Sequence, residues 1–230
     1  VIDPRKMEAV AAGRGKTYAI LSALYSAPPS GELMDMIRAG GLAQQDDSPL
    51  GDAANDLTAF FRESAFGDRL DSELAAEHTR LFVLPSGVIP HESFYLDENK
   101  RVGGRVTAGV QRYYQEAAAQ LTSACLDLPD HMGVELEFMK FLCDIETQFW
   151  KEPNWAGLQK SLDFQNAFLS EHLLRWHKPL CEKVLDETKL GMYRALARLT
   201  IEFLEAERAF VPDLTKVIHS ERRKVCVCES

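Results

Sequence analysis

The chain has 230 residues, 46% hydrophobic and 27% charged, and its 26 basic against 35 acidic side chains give a net charge of −9. Such a composition excludes collagen-like, mucin-like and disordered classes, and a chain this long buries roughly 70% of its unfolded surface without needing a disulfide or metal. An acidic surface repels phosphate backbones and anionic lipid, so the charge argues against nucleic-acid and membrane-surface binding and for a cationic partner.

No apolar run reaches the ~18 residues of a transmembrane helix. The segment Val1-Ile2-Asp3-Pro4-Arg5-Lys6 lacks the apolar core of a secretory signal. Five scattered cysteines, Cys125, Cys143, Cys181, Cys226 and Cys228, are an odd count and no secreted disulfide framework. Both observations predict a cytoplasmic protein.

Taken in chain order, nearly every segment has a helical period. Met7, Val10, Ala11, Tyr18, Leu21, Leu24 and Tyr25 form a first stripe that Pro28-Pro29 stops. Ser30 is placed to cap a short helix carrying Leu33, Met34 and Ile37, closed by Gly40-Gly41. Residues 42–51 read as a polar loop. Ala54, Leu57, Phe60 and Phe61 mark a third helix, and Leu70, Leu74, His78, Leu81 and Phe82 a fourth.

From Pro85 to Gly104, two prolines and three glycines interrupt the pattern. A structureless stretch of about 20 residues inside a domain is usually functional or a linker. Helical period resumes at Val106, Val110, Tyr113, Tyr114, Ala117 and Leu121. The strongest stripe follows Pro129-Asp130: Val134, Phe138, Phe141, Leu142, Ile145 and Phe149. Two more helices carry Leu158, Leu162, Leu169, Leu173 and Trp176, then Tyr193, Leu196, Ala197, Thr200, Phe203 and Leu204. The expected class is all-α: one helical domain over residues 1–210 with a hinge or recognition loop at about 85–104. Residues 211–230 are expected to be a helix end and tail.

Three patterns invite chemistry. Gly13-Arg14-Gly15-Lys16-Thr17 resembles the end of a phosphate-binding loop, but Val10 stands where the first glycine belongs, and the context is helical. His131 and Glu135 share a helix face, with Asp130 and Glu137 nearby, yet no His-Glu-x-x-His motif exists. The simplest reading there is Asp130 capping the helix, with His131 and Glu135 bonded locally. Cys226 and Cys228 supply two thiolates, half of a tetrahedral metal site. His172 and Trp176, four apart, read as buried groups with one hydrogen bond each. No metal, cofactor or catalytic group is assigned, which favours a binding protein. A nucleotide- or metal-dependent enzyme using the first helix or His131 and Glu135 is the rival.

Five segments in order resemble the TorD/DmsD/NarJ-type chaperone family, from about residue 16 to about 208. Pro129-Asp130-His131-Met132-Gly133-Val134-Glu135-Leu136-Glu137-Phe138-Met139 looks like its signature. Glu77-His78-Thr79-Arg80-Leu81-Phe82 matches its Glu-Tyr-x-x-Leu-Phe element with His78 for Tyr. Pro90-His91-Glu92-Ser93-Phe94-Tyr95 matches its Pro-x-Glu-Ser-x-Tyr stretch, with His91 where several members carry Trp. The segments around Phe168–Trp176 and Leu196–Leu204 also agree in type and order.

The resemblance implies an all-helical cytoplasmic chaperone. Its client would be the catalytic subunit of a molybdopterin oxidoreductase, recognised through its twin-arginine signal peptide or its body. Proteins of molybdenum-cofactor biosynthesis are further expected partners, and a monomer and a domain-swapped homodimer are both expected. The other alternative is an assembly subunit that binds only the enzyme body. Two guanidiniums followed by an apolar stretch call for carboxylates beside an apolar groove. Glu92, Asp130, Glu135 and Glu137 are the expected charges. His91, Ser93, His131, Tyr95, Phe82 and Met132 complete the expected client-binding set.

Overall fold

The apolar stripes fold into helices, and among the described residues the only β-type pairing is an isolated bridge between His91 and His131. The computed structural model describes residues 2–42, 48–63, 67–120 and 127–228, the side chains at 68 and 223–228 apart. Leu121, Cys125, part of the 42–51 loop and the Cys226/Cys228 thiols therefore lie outside the described residues.

Helix α1 (Pro4–Ser26) starts with Pro4 and with the Asp3 carboxylate accepting from Arg5 N at 3.1 Å. Helix α2 (Gly31–Arg38) is capped as expected by Ser30, whose Oγ accepts from Leu33 N at 3.2 Å. Then come α3 (Pro49–Glu63) and α4 (Leu70–His78), which runs on into a π-helical turn at Thr79–Val83. The segment 85–104 is not wholly irregular: it holds a short helix, α5 (Glu92–Leu96). Helices α6 (Arg105–Glu116) and α7 (Met132–Lys151) follow. Next, α8 (Trp155–Phe168) and α9 (Leu174–Glu187) are joined by a second π turn at Leu169–Leu173. The last helix is α10 (Gly191–Cys228).

Helices α1 and α7 form the most extensive pair, α8 packs on α7, and α10 closes the bundle against α3, α8 and α9. Their contact is close because Gly133 has no side chain. A Cβ there would run into Ser26 Oγ and lie 3.0 Å from Ser22 O. Ser22 Oγ instead donates to Gly133 O at 2.7 Å. The main core includes Tyr18, Leu21, Leu136, Met139, Trp176 and Leu196. A second cluster joins Ala11, Trp150, Leu158 and Leu162 to Leu214 and Ile218. Helix α10 carries its apolar stripe past Phe210 and buries Val211, Leu214 and Ile218.

The phosphate-loop look-alike lies within α1, where Thr17 Oγ1 donates to Gly13 O at 3.2 Å. Arg14 is buried and its guanidinium makes four hydrogen bonds. It binds Glu207 at 2.8 and 2.7 Å, Glu146 at 2.7 Å and Gln165 at 2.6 Å. Tyr18 donates to Glu207 at 2.9 Å and Trp150 Nε1 to Glu146 at 3.1 Å. This network pins α1, α7, α8 and α10 together. Cys143 and Cys181 are free buried thiols, and burial pushes the Cys181 pKa up to about 12.

Candidate functional site

The site is built where the 90–93 and 128–133 segments meet. Glu92 N donates to Asp130 O at 2.9 Å and Met132 N to Pro90 O at 2.9 Å, the two bonds of the bridge. Both paired residues have extended backbone, His91 at φ −124°, ψ 130° and His131 at φ −74°, ψ 139°. The bridge stacks His91 near His131, with ring centroids 5.1 Å apart at 69°.

The helix cap is His131, not Asp130. His131 has extended backbone and its Nδ1 accepts from Gly133 N at 3.1 Å. An Nδ1 that accepts carries no proton, and burial accordingly lowers the His131 pKa to about 4. Asp130 is displaced by one residue from capping α7 and serves the neighbouring loop. Its Oδ2 accepts from Ser93 N at 3.0 Å, in the first turn of α5. Burial opposes its charge, but the nearby His91 ring, the Ser93 N–H and hydroxyl and the Thr107 hydroxyl together outweigh it and bring its pKa to about 2. Asp130 is therefore an ionised carboxylate with no exposed surface.

Its other oxygen, Oδ1, has no hydrogen-bond partner among the described residues, and neither have His91 Nδ1 and Thr107 Oγ1. His91 Nδ1 stands 3.8 Å from Oδ1. Buried polar atoms are normally paired, so three open ones at one spot set this place apart from the rest of the interior.

The other expected residues separate. Glu92 points inward and takes His172 Nδ1 on both oxygens, at 2.8 and 3.1 Å. Glu135, also fully buried, accepts from Trp176 Nε1 at 3.1 Å. Burial and then the adjacent Glu92 carboxylate raise the Glu135 pKa well above the usual range, making Glu135 the neutral acid of the pair. The one hydrogen bond each expected of His172 and Trp176 is thus present. Glu137 lies on the exposed face of α7, 3.9 Å from Lys140. Ser93 Oγ accepts from Gly103 N at 2.9 Å, closing a loop in which Gly103 and Gly104 have φ of 97° and 84°. Tyr95 packs on Trp176 with ring centroids 5.6 Å apart, and its hydroxyl is buried without a hydrogen-bond partner among the described residues. Met132 is core. Phe82 sits in the first π turn among Tyr25, His78 and Tyr193.

Thr107 escaped the sequence reading: a threonine one turn into a polar helix carries no signal until the fold sets it beside Asp130. The exposed apolar residues Val83, Leu84, Val102 and Leu128 were also missed; they lie on the turns that lead into or out of this region. Among the described residues no group of three or more His, Cys, Asp or Glu is placed to hold a metal ion. No described helix is long and apolar enough to cross a membrane.

A family profile described as the nitrate reductase delta subunit matches residues 43–182, more than half of the chain. The chain belongs to the nitrate reductase delta-subunit family. The chaperone protein TorD of Vibrio cholerae serotype O1 is 26% identical over 156 residues, covering 66% of this chain and 69% of the relative. Its namesake from Vibrio parahaemolyticus is 24% identical over 148 residues, covering 63% and 67%. That of Photobacterium profundum is 26% identical over 141 residues, covering 60% and 64%. The bridge and both π turns lie within the matched region.

Proposed function

We propose that this member of the delta-subunit family is a chaperone for the catalytic subunit of a molybdenum-containing oxidoreductase, and that it binds the client's twin-arginine signal peptide at the His91–His131 bridge. The observation that carries the reading is the open Asp130 Oδ1: an ionised, buried carboxylate oxygen lacking a donor calls for a cation with fixed N–H groups, which a guanidinium supplies. Exposed Leu128 and Val102 flank the segment and suit the apolar stretch that follows the arginines. The −9 net charge adds long-range attraction. Glu92 and Glu135 are assigned a supporting part, holding the loop onto α7 and α9 from beneath, and Glu137 none in the pocket.

The test is fluorescence anisotropy of a labelled signal peptide against the wild type and Asp130→Asn. Asn keeps a carbonyl for Ser93 N and removes the charge. Loss of affinity in a protein with native circular dichroism is expected; unchanged affinity rejects the assignment.

A second reading, binding of the enzyme body alone, is favoured by one observation: Asp130 has no exposed surface, so a guanidinium reaches Oδ1 only once the His91 ring swings aside. A client truncated of its signal peptide separates the two. Retained binding with full affinity supports the body reading.

A further inference from the structure

A cleft of about 540 Å³ lies between α6 and the second π turn, on the far side of His172 from Glu92. Four charged side chains line it: Arg112 and Glu116 from α6, Glu171 and Arg175 from the turn and α9. Each pair is four residues apart, the spacing at which helical ion pairs form. Yet among the described residues none of the four is ion-paired. Arg175 Nη1 donates only to the Glu171 carbonyl, at 3.3 Å, and Glu171 stands beside the Tyr113 hydroxyl.

The floor is His172, about nine-tenths buried. Its Nδ1 is fixed on Glu92, which turns the remaining nitrogen, Nε2, into the one available to the cleft. Nε2 has no partner among the described residues. Gly109 leaves the ring edge uncovered, since a Cβ there would rest 3.7 Å from His172 Cε1. The π turn, a kind of helix insertion frequent at functional sites, presents Ser170, Glu171 and His172 to this space.

We infer that this cleft binds a small zwitterion of the amino-acid or short-peptide class, its carboxylate held by Arg112 and Arg175 and its ammonium by Glu116 and Glu171. Two guanidiniums and two carboxylates balance, so a ligand bearing one sign alone meets as much repulsion as attraction, whereas one bearing both is complementary. Tyr113 supplies an aromatic wall beside the ammonium. The inference is independent of the client-binding proposal.

The test uses the full chain with ¹⁵N-labelled histidine. Glycylglycine and a panel of free amino acids are titrated in, alongside acetate and ethylamine as the separated charges. Saturable movement of the His172 Nε2 resonance by at least one zwitterion is expected, with the single-charge halves binding about tenfold more weakly or worse. Arg112→Gln and Glu116→Gln, both at exposed positions, should each weaken the zwitterion about tenfold, and Gly109→Leu should fill the cleft and abolish binding. Asp130→Asn should leave it unchanged. Silence of His172 toward every probe overturns the inference, as does acetate binding as well as the zwitterion. So does affinity indifferent to both Arg112→Gln and Glu116→Gln.

Discussion

His91 Nδ1 and Asp130 Oδ1 face each other at 3.8 Å, close enough to feel one another's charge and too far apart for a hydrogen bond. Both atoms are buried and neither has a hydrogen-bond partner among the described residues. His91 and His131 both have extended backbone, and the two bonds of the bridge hold their segments side by side, which brings the two side chains face to face.

The carboxylate should be visible in the acid limb of the stability curve. The Asp130 pKa is lowered to about 2 from the ordinary value near 3.8. A depressed carboxylate contributes stability that is fully present above the unfolded pKa and is lost as pH falls through the folded one. Wild type should therefore lose roughly 2 kcal/mol from this group between about pH 4 and pH 2. Asp130→Asn should lack that component; urea melts at pH 7, 4 and 2.5 on both proteins measure it.

His131 gives a second, separable window. Its pKa is lowered to about 4 from 6.5, chiefly by burial. The neutral form is the folded one, so stability present above pH 6.5 is lost as pH falls through the folded pKa. A loss of roughly 2–3 kcal/mol by pH 4 is expected. His131→Asn, which keeps an acceptor for Gly133 N, should remove the pH dependence and retain the cap. His131→Ala should additionally cost about 1 kcal/mol at pH 7. A His131→Asn protein with the wild-type pH profile would show that another group titrates.

Client binding should follow salt and the shape of the cation. Raising ionic strength from 0.05 to about 0.5 M should weaken a bound signal peptide severalfold by screening. Replacing its two arginines by lysine should cost about tenfold, because an ammonium cannot match the planar fork. Affinity constant across both series would favour recognition of the enzyme body.

Arg14 should behave as a structural residue. Arg14→Ala leaves Glu146 and Glu207 buried without their cation and should cost about 3–5 kcal/mol. Lys16→Ala, one step from the buried face of α1, should cost less than about 0.5 kcal/mol. Denaturant midpoints decide this, and equal losses in the two variants would contradict the network.

Gly133 should accept no side chain. Gly133→Ala forces α1 and α7 apart and should cost about 1–3 kcal/mol or more. Removing the Ser26 hydroxyl in the background of Gly133→Ala should restore part of that, and a thermal melt of the double variant shows it.

Local sequence determined the helices, because a 3.6-residue stripe, a Ser30 cap or a Pro28-Pro29 stop acts within one or two turns. Those features alone predict α1 to α4, α6, α7, one continuous stripe where α8 and the start of α9 lie, α10 and the all-α class. They also place His172 and Trp176 as buried hydrogen-bonding groups. The order of five motif segments determined the family resemblance. Tertiary structure decided the rest. What lies across from each of the four carboxylates decides its state: His172 closes off Glu92, burial and the Glu92 carboxylate keep Glu135 neutral with its Oε1 unpartnered among the described residues, solvent reaches Glu137, and Asp130 is ionised with an unfilled position at Oδ1. The cap passes from Asp130 to His131 because the bridge to Pro90 and Glu92 sets the backbone there, and that pairing spans some forty residues. Arg14 changes from a phosphate-loop mimic to a core ion for the same reason: its partners Glu146 and Glu207 come from helices that no local pattern connects to α1, and only their packing brings the charges within bonding distance.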